Sequence, residues 1–220
     1  MLDKRKIAAI GVASLAGVLT ATGASAGGTN GAASQGGEKT FGAQLSPVAH
    51  DPARDAGSNA TGAAELSLLG RSLTTELTAA GTSANLPHAM HIHGARQAAN
   101  ECPGPDRRDD ITDDGLIETA EGQPDYGPVK VSFTTSGDTS PGSTFALDRF
   151  PVADAGGSFA YERSFQIPGK LASRLGDLHI VVHGHDLNGN GSYDGPNSAL
   201  GVPLEAELPV ACGTISPTSE

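Results

Sequence analysis

Two short stretches hold the side chains best suited to chemistry. Pro87-His88-Ala-Met-His91-Ile-His93-Gly94 and Leu178-His179-Ile-Val-Val-His183-Gly-His185 contain six of the seven histidines in the chain. Neutral imidazole is a strong donor to copper and zinc, and the absence of Cys and carboxylate within these pairs favours copper. Side chains alternate along a strand, so His91 and His93 share one face while Met90 and Ile92 share the other. The same holds for His183 and His185 if that strand continues. The pattern predicts that His91, His93 and His183 meet around one copper ion, with His185 as a candidate fourth ligand and His88 and His179 as outer candidates. The competing reading is that these are exposed or hydrogen-bonded structural histidines. His50 stands alone in a loop and reads as solvated.

A second constellation uses oxygen. From Asp110, the run Asp-Ile-Thr-Asp-Asp-Gly-Leu-Ile-Glu-Thr-Ala-Glu places Asp110, Thr112, Asp114, Glu118 and Glu121 at the ligand positions of an EF-hand-type calcium loop around Gly115. A plain acidic turn is the alternative, because Cys102-Pro-Gly-Pro-Asp106 is poor material for an incoming helix. Asp186-Leu-Asn-Gly-Asn-Gly-Ser-Tyr-Asp194 has a similar first half, but Asn197 stands where the bidentate acid belongs. It reads as an Asn-Gly turn, since both residues tolerate positive φ.

The elements that must carry these residues read as short strands bounded by Gly, Pro, Asp or Ser. A first strand is predicted over residues 41–48, then a hairpin turning at Gly70-Arg71. Further strands are predicted over 89–93, 129–135, 143–147, 158–166, 178–183 and 204–210. Only residues 171–175 look helical. So many strands in one compact domain predict an all-β fold, an immunoglobulin-like β-sandwich or Greek-key barrel.

Composition agrees with this. In 220 residues there are 30 Gly, 14 Pro and only 4% aromatics, which favours turns and a core of Leu, Val, Ile and Ala. Residues 1–26 read as a secretory signal: Lys4, Arg5 and Lys6, an apolar stretch over 7–19, and Ala24-Ser25-Ala26 as cleavage site. As an uncleaved anchor the stretch falls short of the roughly 20 apolar residues a membrane span needs. Residues 27–40 read as a flexible linker, 41–215 as the domain and 216–220 as a tail. Cleavage would remove three basic residues and Asp3, leaving 11 basic against 24 acidic side chains and a net charge of −13. That balance excludes a nucleic-acid partner, which needs clustered Lys and Arg. Secreted or cell-envelope localisation follows, with no membrane attachment after cleavage.

Two cysteines in an exported chain most simply form one disulfide, Cys102 to Cys212, with two free thiols on copper as the rival. No Gly-x-Ser-x-Gly elbow, phosphate-binding loop or dinucleotide fingerprint occurs in a fitting context, so hydrolase and nucleotide functions have no support.

His91-Ile-His93-Gly94, Val181-Val-His183 and Val210-Ala-Cys212-Gly-Thr-Ile215, in that order, resemble the copper-binding pair, the later copper ligand and the C-terminal cysteine strand of the Cu/Zn superoxide dismutase superfamily. Residues 41–94 also resemble secreted bacterial chordin-type (CHRD) domains, which are taken to be immunoglobulin-like sandwiches. The first resemblance implies a copper site at His91, His93 and His183, and a disulfide tying the loop after the first pair to the last strand. It also marks departures. That superfamily places a bridging His and zinc ligands between the cysteine and the later copper ligand, whereas no His occurs between Cys102 and Leu178, so the zinc site is absent. The superfamily's substrate-guiding arginine is replaced by Pro209. Two readings follow: a copper-binding protein with weak Cu-only superoxide dismutation, or a non-catalytic chordin-type module. The second would have structural His, an acidic loop with or without calcium, and a protein or cell-envelope partner.

Overall fold

The computed structural model describes residues 37–54 and 58–218. The expected signal segment, most of the expected linker and the last two residues lie outside the described residues. Among the described residues nine strands form: β1 Lys39–Pro47, β2 Thr61–Leu69, β3 Ser72–Ala80, β4 Met90–His93, β5 Val129–Ser132, β6 Phe159–Gln166, β7 His179–His183, β8 Pro209–Thr214 and β9 Ser216–Pro217. The described connections carry three short α-helices, α1 Thr119–Tyr126, α2 Gly169–Ala172 and α3 Leu204–Glu207, and four single turns of 3-10 helix. None of the described helices is long and apolar enough to cross a membrane.

The strands pair antiparallel in the order β5-β4-β7-β8-β1-β2-β3-β6, with β9 added on β1. This is the expected all-β architecture, a sheet curled into a half-barrel. Strand β1 joins its two halves, because Lys39 to Leu45 pair with β2 while Ser46 and Pro47 pair with Cys212 and Ala211 of β8. Alternation does the rest. Phe41, Ala43 and Leu45 on β1, Leu66 on β2, Leu77 on β3 and Tyr161 on β6 enter one core with Met90 and Ile92 of β4 and Ile180 and Val182 of β7.

Strands β2 and β3 bury one face and expose the other, whereas β4 and β7 are buried on both. The outer face of β4 and β7 carries the histidines. It is roofed by the long connection after β4 and by the segment between β7 and β8, and the Cys102–Cys212 disulfide ties the first of these to β8. The pairing expected from the sequence is the one formed.

Several boundaries differ from expectation. Lys39 and Thr40, expected in the linker, begin β1, and Ser216 and Pro217, expected in the tail, form β9 against Gly42 and Phe41. The strand expected over 143–147 is replaced by two tight turns. Asp138 accepts from the hydroxyls of Ser140 and Ser143, and Arg149 reaches the carbonyls of Ser136 and Asp138. Such local side-chain bonds outcompete a ladder. The strand expected over 204–210 begins only at Pro209, because Leu204–Glu207 form the turn of α3, on which Glu205 and Glu207 are both buried. Helix α1 was not anticipated. Its reciprocal capping box between Glu118 and Glu121 lies within the run read as a calcium loop.

Candidate metal centre

His91 and His93 project from the outer face of β4, and His183 ends the neighbouring β7, where a register shift between Val182 and His183 accompanies the approach to β8. All three are at least 97% buried. Their ring centroids lie 5.0 to 5.6 Å apart, and one ring nitrogen from each lies within 4.8 Å of the others. Among the described residues this is the one group of His, Cys, Asp or Glu so placed.

The hydrogen bonds fix which nitrogens face each other. His91 Nε2 lies 3.2 Å from the Thr144 carbonyl, His93 Nδ1 2.8 Å from the Gly127 carbonyl and His183 Nδ1 2.7 Å from the Glu207 carbonyl. A carbonyl only accepts, so each of these nitrogens carries the proton. The opposite nitrogens, His91 Nδ1, His93 Nε2 and His183 Nε2, are buried lone pairs with no hydrogen-bond partner. Three such acceptors turned towards one another are costly in a protein interior unless a Lewis acid or proton donor sits among them. Backbone carbonyls that hold the far nitrogen are the usual outer support of a metal-bound imidazole.

Burial and mutual repulsion keep the trio neutral. Desolvation, followed by the neighbouring His183 and His93, holds His91 well below 6.5. Burial first and His183 next hold His93 at about 3, and burial holds His183 at about 4. The trio is therefore deprotonated and ready to ligate throughout the neutral and mildly acidic range. His88 and His179 are also lowered by burial. In the unfolded chain these histidines take up protons near 6.5, which the folded protein refuses, so unfolding binds protons and stability falls as pH drops below that value. Glu118, raised to about 7 by burial and then by Glu207, and Glu207 itself, raised by burial, act in the opposite sense. Five histidines outweigh two carboxyls. The urea midpoint of the metal-free protein is expected to decrease steadily from pH 6.5 to 4.5, and a midpoint that rises would show that the carboxyls dominate.

The trio lines a cavity of about 20 Å³, room for a single small species. Thr119, Thr144, Phe145, Leu200 and Glu207 complete its wall, and His93, Thr119, Thr144, Phe145 and Leu200 also line an adjoining surface cleft of about 510 Å³. No protein-family model matches the chain, and no curated protein is significantly similar to it. What the centre can do is therefore read from its own geometry.

The other predicted residues fall elsewhere. His185 does not join the trio: β7 ends at His183, Gly184 takes φ 104°, and the His185 amide donates to the Glu205 carbonyl. His88 is buried between the carbonyls of Ser83 and His183 and stacks on Phe159. His179 Nε2 meets Thr214 Oγ1 at 3.0 Å. His50 is not solvated. It is 94% buried, its Nδ1 accepts from the Ile117 amide and its Nε2 donates to the Pro209 carbonyl, which pins the loop over the disulfide to β8. No local pattern signals that role.

Several oxygens of the expected calcium loop bond to the chain itself, while Glu118 Oε2 is buried with no hydrogen-bond partner. Asp110 pairs with Arg107 at 3.3 Å, and Asp114 accepts from the Leu116 amide. Glu121 accepts from the amides of Ile111, Thr112 and Glu118, while Thr112 Oγ1 lies 3.4 Å from Glu118. Glu118 and Glu121 of this run also cap the start of α1.

Sequence reasoning missed the supports. Thr144 lies in a segment read as a strand, and Gly127 was not singled out. Gly127 has φ 80°, and a Cβ there would come within 2.7 Å of the Gly94 backbone. Replacing Gly127 by alanine is expected to push its carbonyl off His93 and weaken metal affinity by about 10- to 100-fold, the usual cost of losing an outer support. Competition against a chelator of known affinity measures this directly.

Proposed function

We propose that this chain is an exported β-sandwich protein that binds one copper ion through His91 Nδ1, His93 Nε2 and His183 Nε2. The reading rests on the three buried, partnerless lone pairs that face one another while the opposite nitrogens are held by carbonyls. An all-imidazole set favours copper, and three ligands would leave the ion able to accept a further small molecule. Bound copper would supply one-electron redox chemistry there, and weak superoxide dismutation is the activity that fits the resemblance to the Cu/Zn superoxide dismutase superfamily. The chain's own residues bind and orient: the carbonyls of Thr144, Gly127 and Glu207 hold the rings, and Phe145 and Leu200 restrict water.

The test is copper and zinc content with a Cu(II) spin-resonance spectrum on the disulfide-intact protein, beside a His91→Ala/His183→Ala control. Near-stoichiometric copper with a nitrogen-rich spectrum, lost in the control, is the expected result. Copper no higher than in the control would overturn the reading and leave the chordin-type module, with structural histidines, in its place.

A further inference from the structure

We propose that the cleft over the histidine trio is a binding site for a small uncharged phenol, held between Phe145 and Leu200 with His93 at its floor. The inference concerns the wall of the cleft and goes beyond the copper reading, because it does not depend on which metal the trio takes.

His93 lines both the cleft and the inner cavity, so a molecule seated in the cleft lies against the trio. The outer wall comes from two turns far apart in the chain. Phe145 stands on the first and Leu200 on the second, 46% and 39% exposed. Both turns are pinned by other groups. In the first, Ser143 Oγ donates to Asp138 and accepts from Arg149, and the amides of Thr144 and Ala146 donate to the carbonyls of Pro141 and Ser143. In the second, the Leu200 amide donates to Ser198 Oγ and the Ser198 amide to the Val202 carbonyl. Neither apolar side chain holds its turn, yet each is kept partly in water beside the same cleft. Exposed apolar residues are ordinary when scattered singly. Two fixed around one concavity of about 510 Å³ have the character of a preformed ligand site.

The lining selects the ligand. Among the described residues no Asp, Glu, Lys or Arg lines this cleft, although the chain carries 25 acidic and 14 basic side chains. An ion would give up hydration here with no opposite charge to replace it. An apolar ring gains by leaving water, and an aromatic one gains further against Phe145 and the His93 imidazole. One polar group on the ligand can be met. The hydroxyls of Thr144 and Thr119 are spent on the carbonyls of Pro141 and Glu207, so the side-chain amide of Gln123, exposed on the rim, supplies the hydrogen bond for a ligand hydroxyl.

The experiment titrates the disulfide-intact, metal-free protein, labelled with nitrogen-15, with para-cresol, para-hydroxybenzoate and cyclohexanol at pH 7, following the amide resonances. Saturable shifts at Gln123, Phe145 and Leu200 are expected, with a para-cresol dissociation constant of about 1 mM or tighter. The carboxylate analogue should bind about tenfold more weakly and cyclohexanol about threefold more weakly. Phe145→Ala should weaken para-cresol about tenfold. Absence of saturable shifts, shifts centred on other residues, or an affinity untouched by Phe145→Ala overturns the proposal. Equal binding of either analogue overturns the assignment of an uncharged phenol. Should Phe145→Ala not fold, Leu200→Ala makes the same decision. The titration contains no metal, so a failure of the copper reading is a separate outcome that leaves this site standing.

Discussion

If the trio holds copper as proposed, replacing His183 by alanine is expected to lower copper affinity by two orders of magnitude or more and to remove most of the stabilisation that the ion would give. Loss of an outer support alone costs about 10- to 100-fold, so loss of a ligand costs at least as much. His183 is also the joint of the site. Its Nδ1 is bonded to the Glu207 carbonyl, its amide to the Ala89 carbonyl, and its carbonyl lies 3.1 Å from His88 Nδ1. The metal-free variant should lose about 1 to 3 kcal/mol for the vacated hydrogen bonds and packing. In wild type, copper at a thousand times its dissociation constant would add about 4 kcal/mol, of which a variant weakened a hundredfold would keep about 1.4 kcal/mol and a more strongly weakened one less. Thermal unfolding with and without copper separates the two effects. A variant that gains as much from copper as wild type would show that the ion binds elsewhere.

The second large effect is expected from removing the disulfide. Cys102 and Cys212 close a loop with a sequence separation of 110, for which the chain-entropy model gives a stabilisation of about 4 to 5 kcal/mol. Cys102→Ala/Cys212→Ala should therefore lose a large part of the total stability of a domain of this size. The loss should extend to the metal centre. The connection anchored by Cys102 carries Thr119, which packs against His183 Nδ1, and Gly127, which holds His93. Once released, the roof over β4 and β7 would open more easily, admitting water and weakening copper binding. Chemical denaturation and chelator competition on the same variant check both parts. An unchanged copper affinity in a destabilised variant would place the rigidity of the site in the strands alone.

Much of this was legible in the sequence. Alternation placed β1, β2, β3, β4, β6 and β7 to within a few residues, because a half-buried strand must repeat with period two. It also put His91 and His93 on one face, since that relation is set within a single strand. Two cysteines and a turn-rich composition sufficed for the all-β fold and its cross-link. His185 shows the limit: the periodicity that paired it with His183 holds only while the strand lasts, and Gly184 ends it with a positive φ.

What only the tertiary structure decided concerns the roof. The carbonyls of Thr144, Gly127 and Glu207 come from segments far apart in the chain, and a backbone carbonyl leaves no trace in residue type. Burial of Glu207 and His50 is equally silent, because both look like solvent-facing residues until loops from elsewhere close over them. The same holds for the acidic run beginning at Asp110. Its spacing suits a cation, and only the fold shows that its carboxylates also meet backbone amides and Arg107. Local sequence specified strands and donor atoms, through sterics and periodicity. The trio His91, His93 and His183 was itself legible; which nitrogen of each ring is left without a partner depended on carbonyls from distant segments that no short-range rule encodes.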